Sequence, residues 1–315
     1  MDVTTILAIL TITSILVFIL NLFCIAVILR NRKLRQRPSS ILTANLLTMH
    51  LLQAVFVMPF YTVKRASVTQ SPFVCDGFRL FYMMTFYVAC YSVLLISLDR
   101  LLAFRLKTKY RGIVTFPRVL VTLAAVWTYI VGLCTIPFGY PTEKCRYNPQ
   151  PSWVVFMLIG NCFLPCIIVI IIYTYITLGL RKYKRISTEK PPLAENTTKL
   201  ASPRNVQISH SNKKITRNTM ILVLTYGIAW TPSILYYIIQ SLFPDTFTSA
   251  YYDSELEQYV SFFLKYFKFV EGITSPVLYC YLNSYFRKTV LNLCCCNNRI
   301  SAEVQPEMTE INSVV

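Results

Sequence analysis

The sequence predicts an all-α membrane protein, a seven-transmembrane helix bundle with a short amphipathic surface helix after the last span. Three observations carry this. Of 315 residues, 55% are hydrophobic and 14% charged, with mean hydropathy +0.50, a balance too apolar for water-soluble domains. Apolar runs close to the ~20 residues that cross ~30 Å of hydrocarbon recur along the chain. Basic residues collect in alternate connections between those runs, the pattern that orients membrane helices.

The runs are residues 5–29, 41–63, 78–104, 119–138, 154–179, 219–241 and 260–281. The first has no small-residue cleavage site behind it and is expected to remain as a signal anchor. Arg30, Arg32, Lys33, Arg35 and Arg37 follow it. Arg105, Lys107, Lys109 and Arg111 follow the third run, and Arg181, Lys182, Lys184 and Arg185 the fifth. The opposite side collects Asp245, Asp253, Glu255 and Glu257. An odd number of spans then puts the N-terminus outside and the C-terminus in the cytoplasm. The formal charge of +17 sits beside the spans, where orientation and anionic membrane lipid account for it. Nucleic acid is not expected as a partner.

The chain divides into a seven-transmembrane domain with the surface helix, residues 1–293, and a flexible tail, residues 294–315. Within the domain, residues 182–214 are rich in Ser, Thr, Lys and Pro and are expected as a flexible third cytoplasmic loop. Residues 283–293 carry Tyr285, Phe286, Val290 and Leu293 at helical spacing with Arg287 and Lys288 between them, the pattern of a helix lying on the membrane surface. Cys24, Cys90, Cys134, Cys162, Cys166 and Cys280 fall within spans as small core residues. Cys75 and Cys145 fall on the oxidising side and are expected to form a disulfide. Cys294, Cys295 and Cys296 follow the surface helix, where thiols are commonly acylated and palmitoylation is expected; three reduced thiols are the alternative.

Further marks occur in a fixed order. Span one has Asn21 and span two has Met58-Pro59-Phe60. Span three begins near Cys75 and ends in Ser97-Leu98-Asp99-Arg100. Span four has Trp127 and Pro137, span five Pro165 and Tyr173, and span six Trp230-Thr231-Pro232. Span seven has Ser275-Pro276-Val277-Leu278-Tyr279, followed by Asn283 and Phe286. By these residues the stretch 7–296 resembles the rhodopsin-like (class A) G-protein-coupled receptors. The resemblance implies a plasma-membrane receptor that passes an extracellular signal to a heterotrimeric G protein, with arrestin as a further partner. Arg100 is expected to snorkel at the inner end of its span, pair with Asp99, and exchange that partner for the G protein. Pro165, Pro232 and Pro276 each remove a helix hydrogen bond and permit a hinge. In receptors of this type span six swings outward below its proline while the arginine and the tyrosines matching Tyr173 and Tyr279 rearrange. An isolated proline or tryptophan means only helix irregularity or packing; the joint order carries the functional reading.

The chain departs from the family at its centre. His50, five residues after Asn45, stands where the aspartate of span two is usual, and Ser275 replaces the asparagine before the proline of span seven. A histidine in place of the main anionic oxygen ligand implies no sodium pocket, and neither a metal nor a cofactor is expected. Lys268, Glu271, Ser275 and Tyr279 share one face of span seven. Ionisable groups at membrane depth are costly unless paired, so Glu271 is expected to pair with His50, Lys268 or both. Such a pair either titrates near neutral pH and makes activation proton-sensitive or stands as a permanent polar contact. Many family members hold the span-three arginine with an acid at the inner end of span six, and Ser211-Asn212-Lys213-Lys214 contains none. Appreciable constitutive activity is expected.

Tyr82 stands where receptors for biogenic amines need an aspartate, which disfavours a monoamine. Arg79, Lys265 and Lys268, with Tyr82, Tyr236 and Tyr237, offer a cationic and aromatic lining suited to a carboxylate, phosphate or lipid acid. Lys64 and Arg65 fit snorkelling to outer headgroups equally well. A very short N-terminus argues against capture of a large protein, leaving small molecules and short peptides. Two rivals remain. Opsins bind retinal through a lysine seven residues before the proline of span seven, and here that position is Phe269, with Lys268 one residue off. An ion transporter or channel would use Lys268, Glu271 and His50 as an ion path, but internal repeats and paired broken helices are not evident. No nucleophile, base or metal constellation suggests an enzyme. The tail ends in Ser313, Val314 and Val315, a pattern PDZ domains capture and one that three residues match readily by chance.

Overall fold

A computed structural model describes residues 3–66, 71–106, 109–136, 142–143, 146–147, 151–188, 203–242, 251 and 254–294. Spans one to four are the helical stretches Val3–Arg30, Pro38–Ala66, Pro72–Leu106 and Phe116–Thr135. Span five runs through Pro151–Val155, Phe156–Phe163 and Leu164–Thr188, and spans six and seven are Pro203–Leu242 and Glu255–Leu282. Short helices follow span one (Arg32–Arg35), span three (Tyr110–Ile113) and span seven (Ser284–Cys294). Thr142–Glu143 pairs antiparallel with Arg146–Tyr147 between spans four and five, a small ribbon beside an otherwise helical bundle.

The solvent of this bundle is hydrocarbon. In span one Leu10, Thr13, Val17, Asn21, Cys24 and Ile28 are buried at three- and four-residue spacing, as one helix face packed on neighbours. The opposite face is not polar, as water would require. It exposes Ile12, Ile15, Ile19, Leu22 and Phe23. Among the described residues six helices are long and apolar enough to cross a membrane. Span seven is equally long, 28 residues, and differs by carrying Lys265, Lys268 and Glu271. The chain is a multi-pass membrane protein.

Prolines and capping side chains set the ends. Pro38 opens span two and Pro117 lies in the first turn of span four, where a missing N–H costs nothing. The Ser254 hydroxyl accepts from the Glu257 N–H at 3.2 Å to cap span seven. Asn283 accepts from the Phe286 N–H at 3.1 Å, so the chain leaves span seven and at once starts the surface helix. That helix buries Phe286 completely against Tyr279, ring centroids 4.9 Å apart, and exposes Arg287 and Lys288.

Two spans contain a widened, π-helical turn, which the sequence reading did not anticipate. In span two it covers Gln53–Val57, where the Met58 N–H reaches back to the Gln53 carbonyl. The next residue, Pro59, has no N–H for the Ala54 carbonyl, and the Ser14 hydroxyl of span one supplies the donor at 2.8 Å. In span five the turn covers Phe156–Phe163, just before Pro165. Within the stretch 182–214, expected as a loop, the described residues are helical, span five running to Thr188 and span six starting at Pro203, while residues 189–202 lie outside the described residues. The lysines and arginines there are good helix formers and extend both spans beyond their apolar runs.

Candidate functional site

The C-terminal part of span three carries Asp99 and Arg100, 3% and 8% exposed. Adjacent charges on a helix do not face each other by default, yet the Arg100 side chain folds back so that Nε donates to Asp99 Oδ2 at 3.0 Å and Nη2 reaches the same oxygen. Tyr110, on the short helix after span three, donates its hydroxyl to the other oxygen, Asp99 Oδ1. Burial, and then the Asp99 carboxylate, push the Tyr110 phenol up, so it stays a protonated donor. Tyr173 of span five is buried with Ser97 beside its hydroxyl, and Tyr279 of span seven is buried against Phe286 with Ser40 and Asn283 beside its own.

In the middle of the bundle His50 and Glu271 are 0% and 1% exposed, with Nε2 and Oε2 at 3.2 Å. The distance is that of an ion pair, while the alignment misses a hydrogen bond, leaving both atoms otherwise unsatisfied. Ser275, one turn along, donates to the other Glu271 oxygen at 2.5 Å, and Gln53 Oε1 lies 3.4 Å from His50 Nδ1. Gln53, three residues after His50, shares its helix face just before the widened turn begins. Lys268 does not join this pair. Its ammonium donates to the Tyr82 hydroxyl and lies 4.6 Å from the Trp230 ring centroid, 4.8 Å from Tyr82 and 5.8 Å from Phe86. Trp230 in turn stacks on Phe86 and Tyr226, at 4.7 and 5.4 Å. A lysine thus ties span seven to spans three and six through cation–π contact.

Pro276 leaves the Gly272 carbonyl without its helix donor. Asn21 of span one fills that gap, Nδ2 to Gly272 O at 2.8 Å, and also donates to its own Val17 carbonyl at 2.7 Å. Gly272 permits the approach, since a Cβ there would meet Val17 Cγ1 at 2.9 Å. Asn45 and Trp127, which the sequence suggested separately, meet. Trp127 Nε1 donates to Asn45 Oδ1 at 2.8 Å, and Asn45 Nδ2 donates to Ser92 Oγ at 2.7 Å.

Toward the other end, Arg79 pairs with Asp76 at 3.1 Å, Lys265 donates to Ser261 and lies 5.5 Å from the Tyr61 ring, and the Tyr236 and Tyr251 hydroxyls meet at 3.3 Å. The six cysteines expected in spans are all free thiols. Cys75 is disulfide-bonded. Cys145, the side chains of Tyr237 and Cys294, and all of Cys295, Cys296 and Ser313 to Val315 lie outside the described residues.

Residues 20–279 match the family described as 7 transmembrane receptor (rhodopsin family). The chain belongs to it. Green-sensitive opsin of Gallus gallus is 23% identical over 94% of this chain and 83% of its own length. Substance-K receptor of Mesocricetus auratus is 26% identical over 68% of this chain and 55% of its own, so the match spans about half of that relative. D(4) dopamine receptor of Mustela putorius furo is 23% identical over 82% and 83%. The protein is a rhodopsin-family receptor and not an enzyme, and membership implies coupling to a G protein and an extracellular ligand. Opsin, peptide-receptor and amine-receptor relatives are alike in identity, 23–26%, so the photoreceptor alternative is not better supported than the general receptor reading.

Reasoning from the sequence missed Gln53, Tyr110 and Asn161 of this receptor. Asn161 Oδ1 accepts from Tyr91 and Tyr129 at 3.0 and 2.8 Å, joining spans three, four and five. The signals were faint but present: a polar side chain in an apolar run for Gln53 and Asn161, and a tyrosine amid basic loop residues for Tyr110.

Proposed function

We propose that this receptor couples to a heterotrimeric G protein through Arg100 at the inner end of span three, with appreciable signalling in the absence of ligand. The observation that carries the reading is the buried Asp99–Arg100 pair. A guanidinium held by its own neighbour in sequence exchanges that partner without parting two helices. Pro232 in span six and Pro276 in span seven supply the hinges for a rearrangement there.

The reading extends outward from that end. The basic connections support an extracellular N-terminus, a cytoplasmic C-terminus and residence in the plasma membrane. A Cys75–Cys145 disulfide would tie the top of span three to the second outer loop. Acylation at Cys294, Cys295 or Cys296 would hold the surface helix to lipid. Arrestin, and a PDZ domain at Ser313 to Val315, are proposed as further cytoplasmic partners. The ligand proposed is small and anionic, taken between Lys265, Lys268, Tyr82 and Tyr236. Arg79 is a weaker candidate, since Asp76 already balances its charge.

The test is a second-messenger panel on cells expressing wild type or Arg100→Ala at matched surface level. Basal signal is expected above mock-transfected cells in one pathway, and lost in the variant. A wild-type basal level equal to mock, or a signal untouched by the variant, overturns the proposal.

A further inference from the structure

The geometry points to Cys24 and Cys280 as a dithiol that a lipid hydroperoxide converts to a disulfide between spans one and seven. The two sulfurs lie 3.6 Å apart, on different helices, and both are free thiols. A disulfide bond is ~2.05 Å long, so the sulfurs need to approach by about 1.5 Å, within reach of side-chain rotation. Cys24 is 1% exposed, walled in by Ile28, Leu47, Tyr279 and Phe286. Cys280 packs at the edge of that cluster and is only partly buried. An oxidant dissolved in the bilayer therefore meets Cys280 first, and the sulfur placed to resolve the product is Cys24. Cys90 is engaged differently, 3.3 Å from the Tyr226 hydroxyl in the bundle interior.

The chemistry balances in two steps. The Cys280 thiol attacks the hydroperoxide, breaking its O–O bond, and becomes a sulfenic acid as the lipid leaves as an alcohol. Cys24 then attacks the sulfenic sulfur, forming the S–S bond and releasing water. Two thiols lose two electrons and two protons, and the peroxide takes up both. The bond would fasten the stretch of span seven beyond Pro276, with Tyr279 and the start of the surface helix, to span one.

The test reads the covalent bond itself and so stands apart from G-protein coupling. Full-length receptor with a protease site inserted within residues 189–202 is treated in membranes with cumene hydroperoxide. It is then quenched with N-ethylmaleimide, cleaved, and run denatured without reductant. Cys24 lies in one half and Cys280 in the other. The halves are expected to migrate as one band in wild type, to part on adding dithiothreitol, and to part without it in Cys24→Ala and Cys280→Ala. Mass spectrometry of the joined wild-type band is expected to yield the peptide pair containing both residues, a readout that needs no variant to fold. Halves that part after oxidation of wild type, or a joined band bridged by any other pair, overturn the inference.

Discussion

Replacing His50 with leucine removes one member of a pair that is 0% and 1% exposed and 3.2 Å apart. Glu271 keeps only the Ser275 hydroxyl, at 2.5 Å on its other oxygen. Stranding one partner of a buried ion pair costs about 3–5 kcal/mol. At about 2 °C per kcal/mol for a chain of this size, the expected loss of melting temperature is about 6–10 °C. Glu271→Leu strands the imidazole instead and is expected to lose a similar amount. The double variant, with both groups apolar, is expected to recover most of the loss, since a well-packed apolar pair substitutes for a buried ion pair at little cost. The assay is thermal unfolding of detergent-solubilised receptor followed with a thiol-reactive fluorophore, which reports Cys90, Cys134 and Cys162 as the bundle opens. Single variants within about 2 °C of wild type, or a double variant showing the sum of both losses, would refute an energetically coupled pair.

Gly272→Ala forces a Cβ to 2.9 Å from Val17 and pushes against the Asn21 bond to the Gly272 carbonyl. A loss of about 1–3 kcal/mol is expected in the same assay. Gly227→Ala is the contrast, because nothing lies within 4 Å of its added carbon, and it is expected to leave stability unchanged or raised by up to about 1 kcal/mol. Tyr110→Phe removes a hydrogen bond to a buried carboxylate and is expected to cost about 1.5–3 kcal/mol. Because the fold raises the Tyr110 phenol, its contribution is complete below the ordinary tyrosine value of about 10 and is lost only as pH climbs through the raised one. The Tyr110→Phe deficit is therefore expected to be constant from about pH 6 to about pH 9, and a deficit that vanishes within that range would contradict the assignment.

Long apolar runs made the seven spans legible from sequence, because a helix in lipid must satisfy its backbone internally and needs a fixed length to cross. The surface helix was legible for a related reason, since Phe286 and Val290 with Arg287 and Lys288 between them fit an interface better than either bulk phase. Depth along two helices also made His50 and Glu271 legible as neighbours. Lys268 was not, because rotation about span seven decides between Glu271 and the Trp230 ring, and residue spacing leaves that rotation open. Nor were the widened turns. A π-helical turn shifts every later side chain by about 100°, and its outward signs in span two were Gln53 in an apolar run and Pro59 just past the turn. Tyr110 escaped because it acts from a connection, where no periodicity indicates which side chain turns inward.

Span one has more to do than anchor the chain. Pro59 and Pro276 each leave a carbonyl with no donor in its own helix, at Ala54 and at Gly272, and span one closes both gaps with Ser14 and Asn21. An unpaired carbonyl in hydrocarbon costs several kcal/mol. Span one therefore holds a donor that completes its bonding only when span seven packs against it. Its absence would leave two interior helices open to lipid at once, so the bundle reaches its low-energy form only when the beginning and the end of the sequence have met.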